Sequence, residues 1–480
     1  MIFSLIPVAY ARETLRLGMH LEPPVLDPTQ TPAASAGEIT YGNLFEGLLI
    51  VNGEGELQPR LASQWDVSSD GLIYRFVLRR GVRFHDNNPF NAEVAGFSIQ
   101  RMIEEESQNP QKMLFNNIAS FDVEGLHLLK ITLYQPDPFF LSNLALPAAV
   151  MVHPDTVENN ATQPIGTGPY KFMEWVPQRS VRLALNERYW GEKPVIKTVD
   201  YLFMQTSVGT ESLLAEGLID GLLGVTRVTN RFVIHPDYRM IPRNLESKMI
   251  LAINNARAPF NDRRARQALA HGINRQALTT LYGSQFNPEL IGSHFSPRHP
   301  AYLDLSAFYE YNPDKAINLL REAGIEDGYE LKLTLPPTDY GRMGGLMIAD
   351  DLESLGFRVV LEQLNWIEWM DRVFKLHDYS ITLILHVEPM DINIYARDNY
   401  YFNYDNERFK AIWNNVLQAT SNEELYQYLG QAQRQLAEDA VNVFLFMRPE
   451  RNFMHRNLRG MWKNSYIPSF VLEDLYWVGE

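Results

Sequence analysis

Short stretches in which apolar and polar residues alternate dominate the first third of the chain. Tyr74, Phe76 and Leu78 fall on one side of a period-two pattern, as do Leu129, Ile131 and Leu133, and each set predicts a strand with one buried face. Further along the period lengthens. Ala316, Leu319, Leu320 and Ala323 form the apolar stripe of a helix that Asn312 caps, Pro313 starts and Gly324 stops. Ile348, Leu352 and Leu355 share one side of a second helix, which ends at Gly356 and runs into a strand-like segment from Phe357 to Leu364. That order is an αβ unit. Ser421 and Glu424 make a capping-box pattern ahead of a long helix with Leu425, Leu429, Ala432 and Leu436 on its apolar side. Interleaved strands and helices in the C-terminal half, with a β-rich insertion near the N-terminus, predict an α/β protein. There is no internal repeat, and the one small-residue tract runs from Pro32 to Gly37. Pro and Gly are spread along the chain without a flexible linker, so discontinuous domains are expected.

Composition narrows the function classes. A chain of 480 residues allows several domains, at roughly 100 to 200 residues each. Lys and Arg number 43 against 58 Asp and Glu, a formal charge of −15 that argues against nucleic acids and anionic membrane surfaces as partners. The absence of Cys excludes disulfides, thiolate metal sites, thiol nucleophiles and a lipid anchor on cysteine. The apolar run Ile2 to Val8, closed by Ala9-Tyr10-Ala11, reads as the end of a secretory signal spanning residues 1–11, although no Lys or Arg precedes it. An apolar N-terminal strand is the alternative. No other stretch approaches the ~18 apolar residues of a membrane helix. The expectation is a soluble periplasmic protein without a lipid anchor, whose mature chain starts near Arg12.

Motifs for catalysis are missing. There is no G-x-S-x-G elbow, Walker loop, H-E-x-x-H or EF-hand loop. Gly53-Glu54-Gly55 reads as a turn between strands. Gly166-Thr167-Gly168-Pro169-Tyr170 resembles a phosphate cradle, but Pro169 removes a backbone donor, so a tight crossover is the better reading. His85 with Asp86, His294 with His299, and His386 with Glu388 are the histidine pairs close enough to suggest a metal, and surface or capping roles are favoured for each. No metal or other cofactor is therefore expected. Trp366 and Trp369 lie three apart, where a helix would place them on one face, either in the core or against a ligand. Glu388 and Asp391 follow the apolar segment Ser380 to Leu385, and carboxylates at the end of an α/β strand stand where ligands usually bind. Two solvated loop acids are the plainer alternative.

The order of short motifs resembles the bacterial extracellular solute-binding proteins of the dipeptide- and oligopeptide-binding group, family 5, which serve ABC importers. The matching elements are Leu26-Asp27-Pro28, Leu44 to Leu49, Pro59-x-Leu61-Ala62-x-x-Trp65, Asp70-Gly71 before Tyr74 to Arg79, and Gly81-Val82-x-Phe84-His85-Asp86. They continue with Gly166 to Tyr170, Asn186-x-x-Tyr189-Trp190, Gly217-x-x-Asp220, Pro259-Phe260-x-Asp262, Arg266 to Leu269 and Ile273-Asn274-Arg275. Asn87-Asn88-Pro89 stands where relatives usually carry Gly-Thr-Pro, and Asn tolerates the positive φ such a turn uses.

The resemblance implies a two-lobed periplasmic binding protein fold with a hinge and an additional small inserted domain. Lobe I would comprise residues 12–50, 164–253 and 458–480, the inserted domain 51–163, and lobe II 254–457. It implies capture of a peptide or peptide-like solute by closure of the lobes, no catalysis, ABC permease subunits of the inner membrane as partners, and a monomer. Opines, oligosaccharides, glutathione, haem and metal chelates are carried on the same fold. A chaperone-like or sensory protein on this scaffold, and a secreted hydrolase using Glu388 and Asp391 as acid and base, remain alternatives.

The same resemblance assigns ligand contacts. Trp366 falls at a cleft tryptophan, with Trp369 beside it, and 22 positions later Glu388 falls on the acid that pairs with a peptide's α-ammonium. Asp391 falls on the second acid of that segment, and His386 precedes both. The segment departs from the family pattern at Leu385, Glu388 and Ile392, where Trp, Asp and Pro are usual. The arginine that dipeptide-selective relatives place against the ligand carboxylate is Thr334 here, with Arg342 and Arg372 as nearby substitutes. Ala33, Ala34 and Ser35 match a small-residue stretch whose backbone borders the ligand.

Overall fold

Strands form where the alternation predicts them. Ile73–Leu78 and Leu128–Leu133 pair antiparallel, and Tyr74, Phe76, Leu78, Leu129, Ile131 and Leu133 are all buried. The computed structural model describes residues 12–204, 210–226, 235–283, 286–388, 390–467 and 469–479. The expected signal segment, residues 1–11, lies outside the described residues. The chain divides into two compact units, Met1–Leu245 with Glu450–Glu480, and Glu246–Pro449.

The first unit contains an eight-stranded mixed sheet in which Thr14–Met19 lies between Thr198–Phe203 and Gly221–Val225, parallel to both. A four-stranded antiparallel sheet of Ala62–Val67, Ile73–Leu78, Leu128–Leu133 and Ile118–Gly125 has its own core, which includes Ala95 and Ile99 of the helix Ala92–Ile103. This is the region expected as an inserted domain. Val51 and Leu114 pack against both cores, so the two cores adjoin inside a single unit.

Gly53 to Gly55 forms the turn between the paired strands Leu49–Val51 and Leu57–Pro59, with Gly55 at φ +86. The Gly166 to Tyr170 segment is a crossover in close backbone contact. Gly168 and Tyr170 donate their N–H groups to the carbonyls of Leu44 and Asn43, and a Cβ on Gly166 would lie 1.9 Å from the Leu44 oxygen. Only glycine fits there. His85 locks the same segment: the Gly166 N–H donates to its Nδ1 at 3.2 Å, and its Nε2 lies 3.1 Å from the Gly168 carbonyl, which it reaches as a donor. The turn after it places Asn87 at φ 76, a conformation asparagine accepts without a glycine.

The second unit is built on a six-stranded sheet in the order Glu289–Leu290, Val443–Met447, Lys248–Ile253, Ile381–His386, Glu330–Leu335, Arg358–Gln363. The predicted αβ unit is present. Glu330–Leu335 and Arg358–Gln363 run parallel and are joined through the helix Asp339–Ser354, which buries Ile348 and Leu352. A Cβ on Gly345 would lie 2.4 Å from the end of the Leu335 side chain, so a larger residue there would require that side chain to move. Asn312 caps Pro313–Glu322 as expected, accepting from the Lys315 N–H. Ser421 caps Asn422–Glu438, but the Glu424 carboxylate turns back to the backbone N–H of Thr420 instead of Ser421, so the capping box is only half formed.

Two assigned boundaries shift. Lys248–Ile253 was expected in lobe I, yet it is a central strand of the second unit, paired on both sides within that sheet. Glu450–His455 was expected in lobe II, yet it pairs with Gly221–Val225 and Tyr238–Leu245 in the first unit. The apolar run of Lys248–Ile253 fits a central strand of either sheet, and the polar Glu450–His455 carries no pattern that assigns it to one, so hydrophobicity does not place either strand.

Burial pulls the His85 imidazole down to about 4, against the opposing effect of the Gly168 carbonyl. The native state therefore resists a proton that the unfolded chain accepts near pH 6.5, and the contribution is intact above that pH and lost as pH falls towards 4. Between pH 7 and 4.5 the His85→Gln variant should lose about 2 kcal/mol less stability than the parent protein. Urea unfolding at the two pH values measures this, and equal acid losses would exclude His85 as the source.

Candidate ligand-binding site of the second unit

The strand Lys248–Ile253 is buried along its whole length, and its first residue is charged. Lys248 is 1% exposed, and a buried ammonium requires a charge partner and acceptors. Both are supplied where the neighbouring strand Ile381–His386 ends. Lys248 Nζ lies 3.0 Å from Asp391 Oδ1 and donates to the Glu388 carbonyl at 2.7 Å.

Asp391 opens the 3-10 helix Asp391–Ala396, and its other oxygen receives two imidazoles. His294 Nε2 lies 3.0 Å and His386 Nδ1 3.3 Å from Oδ2. The far nitrogens are also engaged, His294 Nδ1 by the Tyr395 hydroxyl at 3.0 Å and His386 Nε2 by the Tyr401 hydroxyl at 2.9 Å. Asn442 Nδ2 donates to the Tyr395 oxygen. Two neutral rings, each carrying its proton on the nitrogen facing Asp391, satisfy every one of these contacts.

Burial alone would raise the Asp391 carboxyl; His294 and the Lys248 ammonium outweigh it and hold the group well below the usual carboxylate range. Burial lowers His294 to about 4 despite the adjacent carboxylate, so its ring is neutral at pH 7.

Trp366 and Trp369 have different surroundings. Trp369 is 4% exposed, donates its indole N–H to Thr382 Oγ1 at 3.2 Å and meets Tyr401 with ring centroids 5.9 Å apart. Trp366 is 46% exposed and stands edge-on to Trp369. The predicted helix is one α-turn, Trp366–Glu368, continued by the π-helical Trp369–Lys375. The Tyr401 ring lies parallel to His386, joined to it through the hydroxyl hydrogen bond. An aromatic row therefore joins Trp366, through Trp369 and Tyr401, to the buried network.

The two acids also separate. Asp391 is buried and paired. Glu388 is half-buried, its carboxylate accepts the Val387 N–H at 3.2 Å, and it makes no ion pair among the described residues. Burial raises the Tyr400 phenol well above its usual range, and the charges of Asp391 and Glu388 add to this.

The two candidate arginines are engaged by neighbours. Arg372 binds Glu362 with both terminal nitrogens, at 3.0 and 3.1 Å, and also meets Asp378. Arg342 pairs with Asp339 on the surface. Neither guanidinium stands free for a ligand carboxylate. Thr334 is fully buried beside Glu362. In the first unit, Ala33 precedes the helix Ala34–Thr40, Ala34 is half-buried and Ser35 is buried.

None of the histidine pairs close in sequence forms a pair in space. His85 binds the crossover, and His299 packs against Phe295 and Tyr426. His294 and His386, drawn from two different pairs, meet instead at Asp391. Lys248, Tyr395, Tyr400 and Tyr401 were absent from the expected site. Lys248 did carry a signal, as a lone charge heading the apolar run Met249 to Ile253.

The fold and this site define a solute-binding protein. The family described as bacterial extracellular solute-binding proteins, family 5, middle region, matches residues 56–403, and the chain belongs to it. Members are the solute-binding components of ABC importers, not enzymes. The Di/tripeptide-binding protein 2 of Pseudomonas aeruginosa is 28% identical over 414 residues, covering 77% of this chain and 77% of that one. The nickel-binding periplasmic protein of Escherichia coli is 32% identical over 320 residues, 63% of this chain and 59% of that one. The periplasmic binding protein DppA of Helicobacter pylori, solved with the peptide STSA, superimposes with a TM-score of 0.85 at 22% identity, over 97% of this chain and 98% of that one. The chain thus has the α/β fold of periplasmic binding proteins. Among the described residues, no helix is long and apolar enough to cross a membrane.

Removing the ammonium alone should be costly. Lys248→Met leaves Asp391 buried without its cation and should destabilise the protein by about 3 kcal/mol, whereas the double variant Lys248→Met/Asp391→Asn should recover more than half of that loss. Denaturant unfolding of the four proteins in the cycle checks this, and additive losses would mean that the two side chains are not coupled.

Proposed function

We propose that the protein is a periplasmic receptor that captures a short peptide or peptide-like solute by its ammonium group and delivers it to the inner-membrane permease subunits of an ABC importer. The observation that supports this most is the contrast between the two acids. Asp391 is neutralised by Lys248, while the Glu388 carboxylate, at the end of a central strand, makes no ion pair among the described residues. An ammonium leaving water needs such a charge partner. The relatives that bind di- and tripeptides support the same ligand class, and the relative named as periplasmic supports the location. Trp366 offers an exposed aromatic face for the ligand's apolar part.

Calorimetric titration with defined di-, tri- and tetrapeptides tests the reading. Saturable heat with free peptides, abolished by acetylating their amino termini, is the expected result. Silence with all of them and heat with a solute that lacks an ammonium would replace it. Within this scheme Glu388→Gln should weaken peptide binding by about 1.5 to 3 kcal/mol, the value of a hydrogen bond to a charged group. Unchanged affinity would transfer the role to another acid. Trp366→Ala should weaken binding by about 1 kcal/mol with little effect on stability, because an exposed ring contributes little to the core; a large loss of stability with unaltered affinity would make the ring structural.

A further inference from the structure

We propose that His294, His386 and Asp391 form a binding site for a divalent first-row transition ion of the zinc or nickel type. The site does not depend on which solute the protein carries. Three separate segments deliver the ligands: the loop after Glu289–Leu290, the last residue of the strand Ile381–His386, and the first residue of the 3-10 helix Asp391–Ala396. All three residues are buried, and one ligand atom from each lies within 4.8 Å of the others.

The geometry fits coordination. His294 Nε2 and His386 Nδ1 stand 3.0 and 3.3 Å from the same carboxylate oxygen, which is the edge length between neighbouring ligands around an ion held at about 2.0 to 2.2 Å. The rings meet at 83° with centroids 4.9 Å apart, so both approach one point without stacking. Two imidazoles and one carboxylate are the donor set that borderline divalent ions prefer over Mg2+ or Ca2+.

Outer contacts fit as well. The far nitrogen of each ring already lies at hydrogen-bond distance from a buried tyrosine hydroxyl, Tyr395 for His294 and Tyr401 for His386. On binding, each ring proton is carried on the nitrogen facing tyrosine instead of the one facing Asp391, and the tyrosine hydroxyl, which donates to that nitrogen in the free protein, rotates its own hydrogen away so that its oxygen accepts. The rings stay neutral, and such second-layer partners fix ring orientation in metal sites. Lys248 opposes the ion, because its ammonium neutralises Asp391, but it approaches Oδ1 and leaves Oδ2 to the two rings.

The test uses the full-length protein stripped with EDTA and titrated with ZnCl2, NiCl2 and CoCl2. One ion should bind per chain, and Co2+ should give the visible d–d bands of nitrogen and oxygen ligation. His294→Ala and His386→Ala should each weaken binding at least tenfold. Lys248→Met, which leaves Asp391 unpaired, should gain more thermal stability from Zn2+ than the parent protein does. Absence of saturable binding by the parent protein overturns the proposal, as does undiminished affinity in both histidine variants. If those variants do not fold, a Co2+ spectrum without ligand-field bands, or a Lys248→Met melting temperature indifferent to Zn2+, overturns it equally.

Discussion

The second unit is organised around a charge that cannot be solvated. Lys248 heads a strand buried on every side, and its ammonium meets Asp391 at 3.0 Å. Desolvating two such ions costs several kcal/mol each, so the pair is tolerable only if its remaining donors and acceptors are satisfied as well. The two imidazoles engage Asp391 Oδ2, the carbonyls of Glu388 and Glu246 accept from Lys248, and the two phenols and Asn442 extend the network, so the segments that carry them are held in place. His294 ties its loop to the sheet, Tyr395 ties the 3-10 helix, and Tyr401 connects to Trp369 through its ring. One ion pair thus fixes the positions of the loop that carries Glu388 and the aromatic row that ends at Trp366.

The first unit meets its main constraint through backbone proximity instead of charge. The Gly166 to Tyr170 crossover runs against Asn43 and Leu44 so closely that no side chain fits on Gly166, and His85 completes its bonding as a neutral ring. Glu46 is buried nearby with full compensation from Arg60, Thr167, Tyr189 and Trp190. A rigid crossover and a rigid ion-pair network are different answers to the same requirement, that buried polar groups be paired.

Much of the architecture was legible in the sequence because it rests on local rules. Period-two alternation identified Ile73–Leu78 and Leu128–Leu133, and Asn312, Pro313 and Gly324 bounded their helix through cap chemistry that needs no distant partner. The Gly53 turn and the tolerance of Asn87 for positive φ were legible for the same reason. What escaped was non-local. The strand Lys248–Ile253 is an apolar run that could enter either sheet, Glu450–His455 is a mostly polar segment with no clear alternation, and for both the pairing across a long sequence separation decides the sheet. The histidine cluster escaped likewise, since His294 and His386 stand far apart in the chain and meet only because Asp391 folds back between them. The π-helical turn after Trp369 was hidden too, because a spacing of three does not distinguish an α-helix from a wider turn.

Selectivity in such a receptor depends on the charges left over after internal pairing. Arg342 and Arg372 were the candidates for a ligand's carboxylate, yet Asp339, Glu362 and Asp378 already engage them. Asp391 was a candidate for a ligand's ammonium, yet Lys248 already neutralises it. A ligand recruiting Asp391 would have to displace a buried partner, an exchange that returns little net energy, whereas the pairs of Arg342 and Arg372 are exposed or half-exposed and compete with a ligand only weakly. Glu388 carries no such penalty. On the proposed reading, the second unit therefore recognises the positive end of its solute and an apolar portion against Trp366, and it has no free cation among these candidates to measure where a peptide ends. Chain length should then be read weakly by this unit.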